Sequence, residues 1–192
     1  MENLLSIFLF NLLINNIVLT RFIGLCSYFG ISRNLRNSAM MGLAVTFVAV
    51  SSSFVTWFVN HYLLAPFGIQ YMRIVAFILV IASFVQLVEI IMRKTMPKFY
   101  AAFGIYLPLI TVNCAILAVN LINFDENYSL AASLVNGLAT ALGYTLAIVL
   151  LAGIRERISY EDLPRSFRDV PIAFIVAGLL ALAFQGFIGI GG

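Results

Sequence analysis

The chain has little of what a water-soluble domain is built from. Only 10% of its 192 residues are charged, against roughly a quarter in a typical soluble domain. It has one histidine, His61, one tryptophan and two cysteines. With a single histidine, and with no phosphate-cradling glycine loop, Ser–His–Asp arrangement or metalloprotease helix, a soluble-style catalytic centre is excluded. Two cysteines cannot make a disulfide framework, and both stand in apolar runs, which excludes a small secreted scaffold. The net charge of +3 and the pI near 9.0 do not point to nucleic acid, because the basic residues sit beside apolar segments; membrane topology accounts for them better. The first twenty residues have neither a basic start nor a small-residue cleavage pattern, and Glu2 is acidic, so the amino-terminal segment is expected to be retained.

What is there is apolar. Hydrophobic residues make up 62% of the chain and the mean hydropathy is +1.05, which makes this an integral membrane protein. A spanning helix needs about 20 mainly apolar residues, because the hydrocarbon core is about 30 Å thick and each residue rises about 1.5 Å. Six runs qualify: Leu4–Ile23, Met40–Leu64, Met72–Met92, Phe99–Leu121, Leu130–Gly153 and Pro171–Ile190. They are continuous rather than alternating, which excludes a β-barrel. The expected fold is therefore all-α, six transmembrane helices in a single membrane domain, 1–192. Basic residues fall in the odd loops (Arg33 and Arg36; Arg93, Lys94 and Lys98; Arg155, Arg157, Arg165 and Arg168), whereas the fourth loop carries Asp125 and Glu126. Odd loops are then cytoplasmic, and both termini face outward.

Two of the six runs are interrupted. Leu19–Gly30 admits Arg21, Gly24, Cys26 and Gly30 where a helix should continue, and Leu107–Cys114 contains Pro108 and the second cysteine. A leucine stands seven positions before each thiol. Laid over each other with the cysteines in register, residues 1–96 and 97–192 form two halves of three helices. Gly42-Leu43-Ala44 opens the second helix of one half and Gly137-Leu138-Ala139 the second helix of the other. An odd number of helices per half inverts the second half, and inverted repeats place their sites near the midplane, where discontinuous helices meet. Close helix approach is expected at Ala49, Ser51, Ser52 and Ser53 in the second helix and at Gly137, Ala141 and Gly143 in the fifth.

Cys26 and Cys114 admit several readings. Each fits a small buried hydrophobe, the usual state of free cysteine; a disulfide is geometrically open; and two thiolates are half of the four that an iron–sulfur cluster takes as a rule. A half-site makes sense if a second, similar chain supplies the rest. Ser27, Thr111 and Asn113 lie along the same segments, either as donors to a metal-bound sulfur or as caps on broken helices. Arg21 either snorkels to the interface or lends charge to an anionic group nearby. Asn15 and Asn16 suit interhelical hydrogen bonds. Glu89 is the carboxylate deepest in an apolar run, a candidate for an ion pathway or an i, i+4 partner of Arg93.

The stretches Phe22-Ile23-Gly24-Leu25-Cys26, Gly104–Ala115 and Ile154-Arg155-Glu156-Arg157 resemble the membrane-subunit family shared by the Rnf and Nqr respiratory complexes, and the resemblance spans the whole chain. Asn15–Leu19, the short second loop and Tyr71-Met72-Arg73 are similar to the A-type subunits of Rnf complexes; Thr111–Cys114 and Leu151–Arg155 are similar also to the E subunit of the sodium-pumping NADH:quinone reductase, whose second loop is longer. The resemblance implies six helices in an inverted repeat within a bacterial cytoplasmic (inner) membrane, paired with a homologous E-type subunit of opposite orientation. It implies a [2Fe–2S] cluster shared between the two, with Cys26 and Cys114 as this chain's ligands and no flavin or nucleotide bound here. The complex it implies passes electrons between ferredoxin and NAD⁺ and moves sodium or protons. A rival expectation is a small inverted-repeat solute transporter with structural cysteines, and a third is an assembly scaffold with no cofactor.

Overall fold

A computed structural model of the chain describes residues 4–64, 72–95, 113–160, 164 and 169–188. The described residues are helical throughout, joined by turns, with no strand among them. The elements are α1 (Leu4–Leu9), a π-helical turn (Phe10–Ile14), α2 (Ile17–Arg21), α3 (Leu25–Ile31), α4 (Leu35–Val59) with a π-helical turn (Asn60–Leu64), α5 (Arg73–Thr95), α6 (Cys114–Asp125), α7 (Leu130–Ile158) and α8 (Val170–Ile188). Three helical stretches are long and apolar enough to cross a membrane, Leu35–Tyr62, Ile74–Ile91 and Leu130–Ile158; Leu4–Ile14, Cys114–Asp125 and Val170–Gly186 are shorter apolar helices.

Three expected spans differ from what forms, the fifth because its helix runs on past Gly153 to Ile158. Leu4–Ile23 is not one helix. It breaks at Asn15–Asn16 and again at Phe22–Gly24, where Phe22 (φ 54°) and Gly24 (φ 93°) turn left-handed. Gly30, expected to interrupt the run, lies inside α3 with open space around it. The second span starts at Leu35, five residues before the expected Met40, because the polar Arg36, Asn37 and Ser38 form its first turn; the Ser38 hydroxyl donates to the Asn34 carbonyl at 3.0 Å. Pro108 and the amino-terminal part of the fourth run lie outside the described residues.

α4 and α7 make the most extensive helix pair. Lipid supplies no hydrophobic drive for helices to associate, so close packing must do it, and small residues permit that. A Cβ on Gly42 would overlap the Thr145 side chain; one on Gly137 would stand 2.8 Å from Ser53 Oγ; one on Gly143 would meet the Leu12 carbonyl at 3.1 Å. The expected small-residue contacts at Ser53, Gly137 and Gly143 thus form. Gly42, which the sequence offered only as a repeat marker, is tighter than any of them. Replacing Gly42 with alanine is expected to destabilise the protein by about 1–3 kcal/mol through overpacking. Thermal unfolding in detergent would show this, and Thr145→Ala in the same chain should restore most of the loss.

Around this pair Met41, Val45, Ile116, Tyr144, Ile148 and Leu151 are buried, while Leu43, Phe47, Leu79, Ile90 and Leu182 are exposed, as expected of side chains that face lipid. Arg155 belongs to the core rather than to a loop. It is only 8% exposed, donates to Ser32 Oγ at 2.6 Å and the Phe29 carbonyl at 3.2 Å, and pairs with Asp169 at 3.6 Å. Sequence reasoning counted it among the loop charges that set topology. In the fold it ties the end of α3 to the start of α8, committing several of its five donors to fixed partners.

Candidate functional site

Cys114 is the first residue of α6. Asn113 caps that helix (φ −71°, ψ 110°), its side chain accepting the Ala115 N–H at 3.0 Å. Gly24 approaches from the other interrupted segment, and its N–H donates to Cys114 Sγ at 3.2 Å. Only glycine suits that position, since φ is +93° and a Cβ would lie 3.2 Å from the Ala115 Cβ and 3.6 Å from Tyr144 Cε2. Two residues on, Cys26 stands in the first turn of α3. Both cysteines are free and exposed. The reading of each as a small buried hydrophobe is therefore overturned.

Beneath the thiols a buried network fixes the turn. Ser27, 2% exposed, donates to the Gly24 carbonyl at 3.1 Å and accepts from the Tyr144 hydroxyl at 2.7 Å and from Asn113 Nδ2 at 3.4 Å. Every side chain in it has a role: Tyr144 on α7 and Asn113 at the start of α6 hold Ser27, Ser27 holds Gly24, and Gly24 presents its N–H to the sulfur. Ser27 and Asn113 were expected near the thiols. Tyr144 was not, and nothing in its spacing marks it beyond being a hydroxyl-bearing ring in an apolar helix.

Other candidates fall elsewhere. Arg21 is exposed at the carboxyl end of α2, where its charge complements the last carbonyls, and no contact joins it to either cysteine among the described residues. Asn16 makes the interhelical bond expected of it, to the Gly143 carbonyl at 2.8 Å, while Asn15 bonds within its own turn, to Asn11 at 3.4 Å. Glu89 is half-buried in α5; the side chain of its expected partner Arg93, and Thr111, lie outside the described residues. Among the described residues no three His, Cys, Asp or Glu side chains gather as a metal site.

The local geometry that recurs is not at the cysteines. Asn16 (φ −65°, ψ 110°) caps α2 with its side chain on the N–H two residues on, as Asn113 does for α6. Asn16 precedes Gly42 by 26 positions and Asn113 precedes Gly137 by 24, whereas the cysteines precede these glycines by 16 and 23. Asn113 stands directly before Cys114, whereas Asn16 stands ten residues before Cys26.

A family described as "Rnf-Nqr subunit, membrane protein" matches residues 4–191. The chain is 50% identical over 190 residues to the A-type subunit of the ion-translocating oxidoreductase complex of Syntrophotalea carbinolica, covering 99% of this chain and 98% of that one. It is 47% identical over 189 residues to the A-type subunit of the proton-translocating ferredoxin:NAD⁺ oxidoreductase complex of Clostridium ljungdahlii, covering 98% of each. It is likewise 47% identical over 186 residues to the A-type subunit of the Na⁺-translocating ferredoxin:NAD⁺ oxidoreductase complex of Acetobacterium woodii, covering 97% of each. The helices, the paired cysteine segments and these likenesses over the full length agree: the chain belongs to the Rnf-Nqr family of membrane subunits.

Proposed function

We propose that this chain is the A-type electron-transfer subunit of a membrane-bound, ion-translocating ferredoxin:NAD⁺ oxidoreductase, and that Cys26 and Cys114 supply two of the four thiolates of a [2Fe–2S] cluster completed by a homologous E-type subunit. The observation that carries this is the Gly24 N–H donated to Cys114 Sγ at 3.2 Å, with both thiols exposed. The contact draws the segments of the two cysteines together and leaves the thiols open to a neighbour. The donor set fits the group: two soft sulfurs, one already bonded by a backbone N–H, as suits a metal-bound thiolate. The names of the relatives support the ferredoxin:NAD⁺ assignment and leave both sodium and protons as translocated ions. A solute transporter with structural cysteines would call for thiols packed in the core, and a scaffold would have no use for an N–H aimed at sulfur.

When bound, such a cluster accepts and returns one electron. The chain's own residues do the rest. Cys26 and Cys114 would hold iron, the Gly24 N–H would offset negative charge on the Cys114 sulfur, and the Ser27–Tyr144–Asn113 network keeps the turn from yielding. The recurring asparagine caps support an inverted 3+3 repeat with halves 1–96 and 97–192. The basic odd loops support cytoplasmic loops one, three and five, with both termini outside a bacterial inner membrane. The test is iron analysis and electron paramagnetic resonance on the intact complex with and without Cys114→Ser. Loss of one [2Fe–2S] signal from a fully assembled complex is expected; an unchanged signal and iron content would sink the ligand assignment.

A further inference from the structure

Tyr144 brings a hydroxyl into the core from α7 and is only 1% exposed. A buried hydroxyl is costly unless it is bonded, and phenylalanine would fill nearly the same space without one. The Tyr144 hydroxyl donates to Ser27 Oγ at 2.7 Å. Ser27 has one proton to give, and it goes to the Gly24 carbonyl at 3.1 Å. The donors therefore run in one direction, from Tyr144 to Ser27 to the Gly24 carbonyl, while the N–H of the same glycine donates to Cys114 Sγ at 3.2 Å. Holding both polar groups of Gly24 fixes the torsions on either side of its Cα, which a glycine otherwise leaves free. Asn113 Nδ2 also reaches Ser27 Oγ, but at 3.4 Å, so Tyr144 is the nearer donor.

Tyr144 is the fixed end of this chain of bonds. Its two neighbours on α7 are held by different parts of the bundle. The Gly143 carbonyl accepts from Asn16 Nδ2 at 2.8 Å. Thr145 fills the space that a Cβ on Gly42 would need and lies 3.4 Å from Thr46 Oγ1, both on α4. With α7 held on both flanks, the bundle sets where the Tyr144 hydroxyl stands. The Gly24 turn is the part that adapts: it joins a helix of five residues to one of seven, and its φ of +93° is one that only glycine adopts freely. The Tyr144 ring lies against it, with Cε2 3.6 Å from the place of an added Cβ.

We propose that Tyr144 is a positioning residue for the cluster: through Ser27 it holds the Gly24 N–H on the Cys114 sulfur and so raises the reduction potential. The proposal rests on the reading of Cys26 and Cys114 as cluster ligands and adds which side chain of α7 tunes them. Hydrogen bonds to cluster sulfurs are among the influences that set the potential, and an N–H donor favours the reduced, more negative state. The test is a redox titration of the [2Fe–2S] resonance in the purified complex. Tyr144→Phe keeps the ring and its packing, so iron content should match wild type. The midpoint is expected to fall by about 59 mV, which is a tenfold shift of a one-electron equilibrium toward the oxidised cluster. Tyr28→Phe is the control: Tyr28 is fully buried, two residues from Cys26, and its hydroxyl has no hydrogen-bond partner among the described residues. Its midpoint should equal that of wild type. Ser27→Ala should also lower the midpoint, and adding Tyr144→Phe to it should change little further, because residues acting through one path are not additive. The proposal is overturned if Tyr144→Phe titrates as wild type does or sheds its iron, if Tyr28→Phe shifts the midpoint as far, or if the Ser27 and Tyr144 shifts simply add. Failure of the redox reading looks different: Cys114→Ser would then keep iron and resonance, whatever Tyr144→Phe did.

Discussion

Electron flow from reduced ferredoxin to NAD⁺ is expected to fall at least about a hundredfold when Cys26 or Cys114 is replaced by serine in the assembled complex. Altering residues that merely orient a metal ligand already costs about 10–100-fold, and removing a ligand costs more. The two variants should not be equal. Cys114 Sγ accepts the Gly24 N–H at 3.2 Å, so serine there, with its shorter bond and harder oxygen, loses a metal ligand and also slackens the turn that leads to Cys26. Cys26→Ser leaves that contact in place. Assembly of the complex, followed by native gel or mass analysis, should survive both, because neither thiol belongs to the buried core. A scaffold with no cofactor would instead keep its electron flow in both variants.

The second large effect is expected at Gly24, not at a ligand. Gly24→Ala must carry a side chain at φ +93°, which costs an L-residue about 1–2 kcal/mol, and its Cβ would sit 3.2 Å from the Ala115 Cβ, pressing on the first turn of α6. Relief means withdrawing the Gly24 backbone from Cys114. Iron content should drop to a small fraction of wild type although both cysteines remain. Gly30→Ala is the internal control: it lies in α3 with nothing within 4 Å of the added Cβ, and a helical alanine gains stability over glycine. Equal iron loss in the two variants would show that the Leu19–Gly30 stretch is merely fragile, and the role given to Gly24 would be wrong.

Much of this was legible in the chain because the bilayer imposes strong rules. Apolar run lengths marked where the described helices lie, and the two odd stretches around Cys26 and Cys114 are the ones that the Gly24–Cys114 contact joins. What escaped had physical reasons. Composition cannot show that Asn16 rather than Gly24 begins the recurring geometry, because an asparagine cap and an interhelical amide look alike until the N–H it accepts is seen. Arg155 read as a loop charge because burial of a guanidinium depends on carbonyls supplied by Phe29, far away in sequence, and by Asp169. Tyr144 read as one more aromatic in α7, since its hydroxyl acquires meaning only once Ser27 is folded against it.

The shortness of α6 has a consequence of its own. Cys114 and Asn120 are six residues apart on it, a rise of about 9 Å. The same helix carries the amide that bonds Thr56 and Ser52 of α4, so Cys114 cannot travel along the helix axis without breaking bonds between α6 and α4. The thiol is held to the bundle through its own helix as well as through the Gly24 turn.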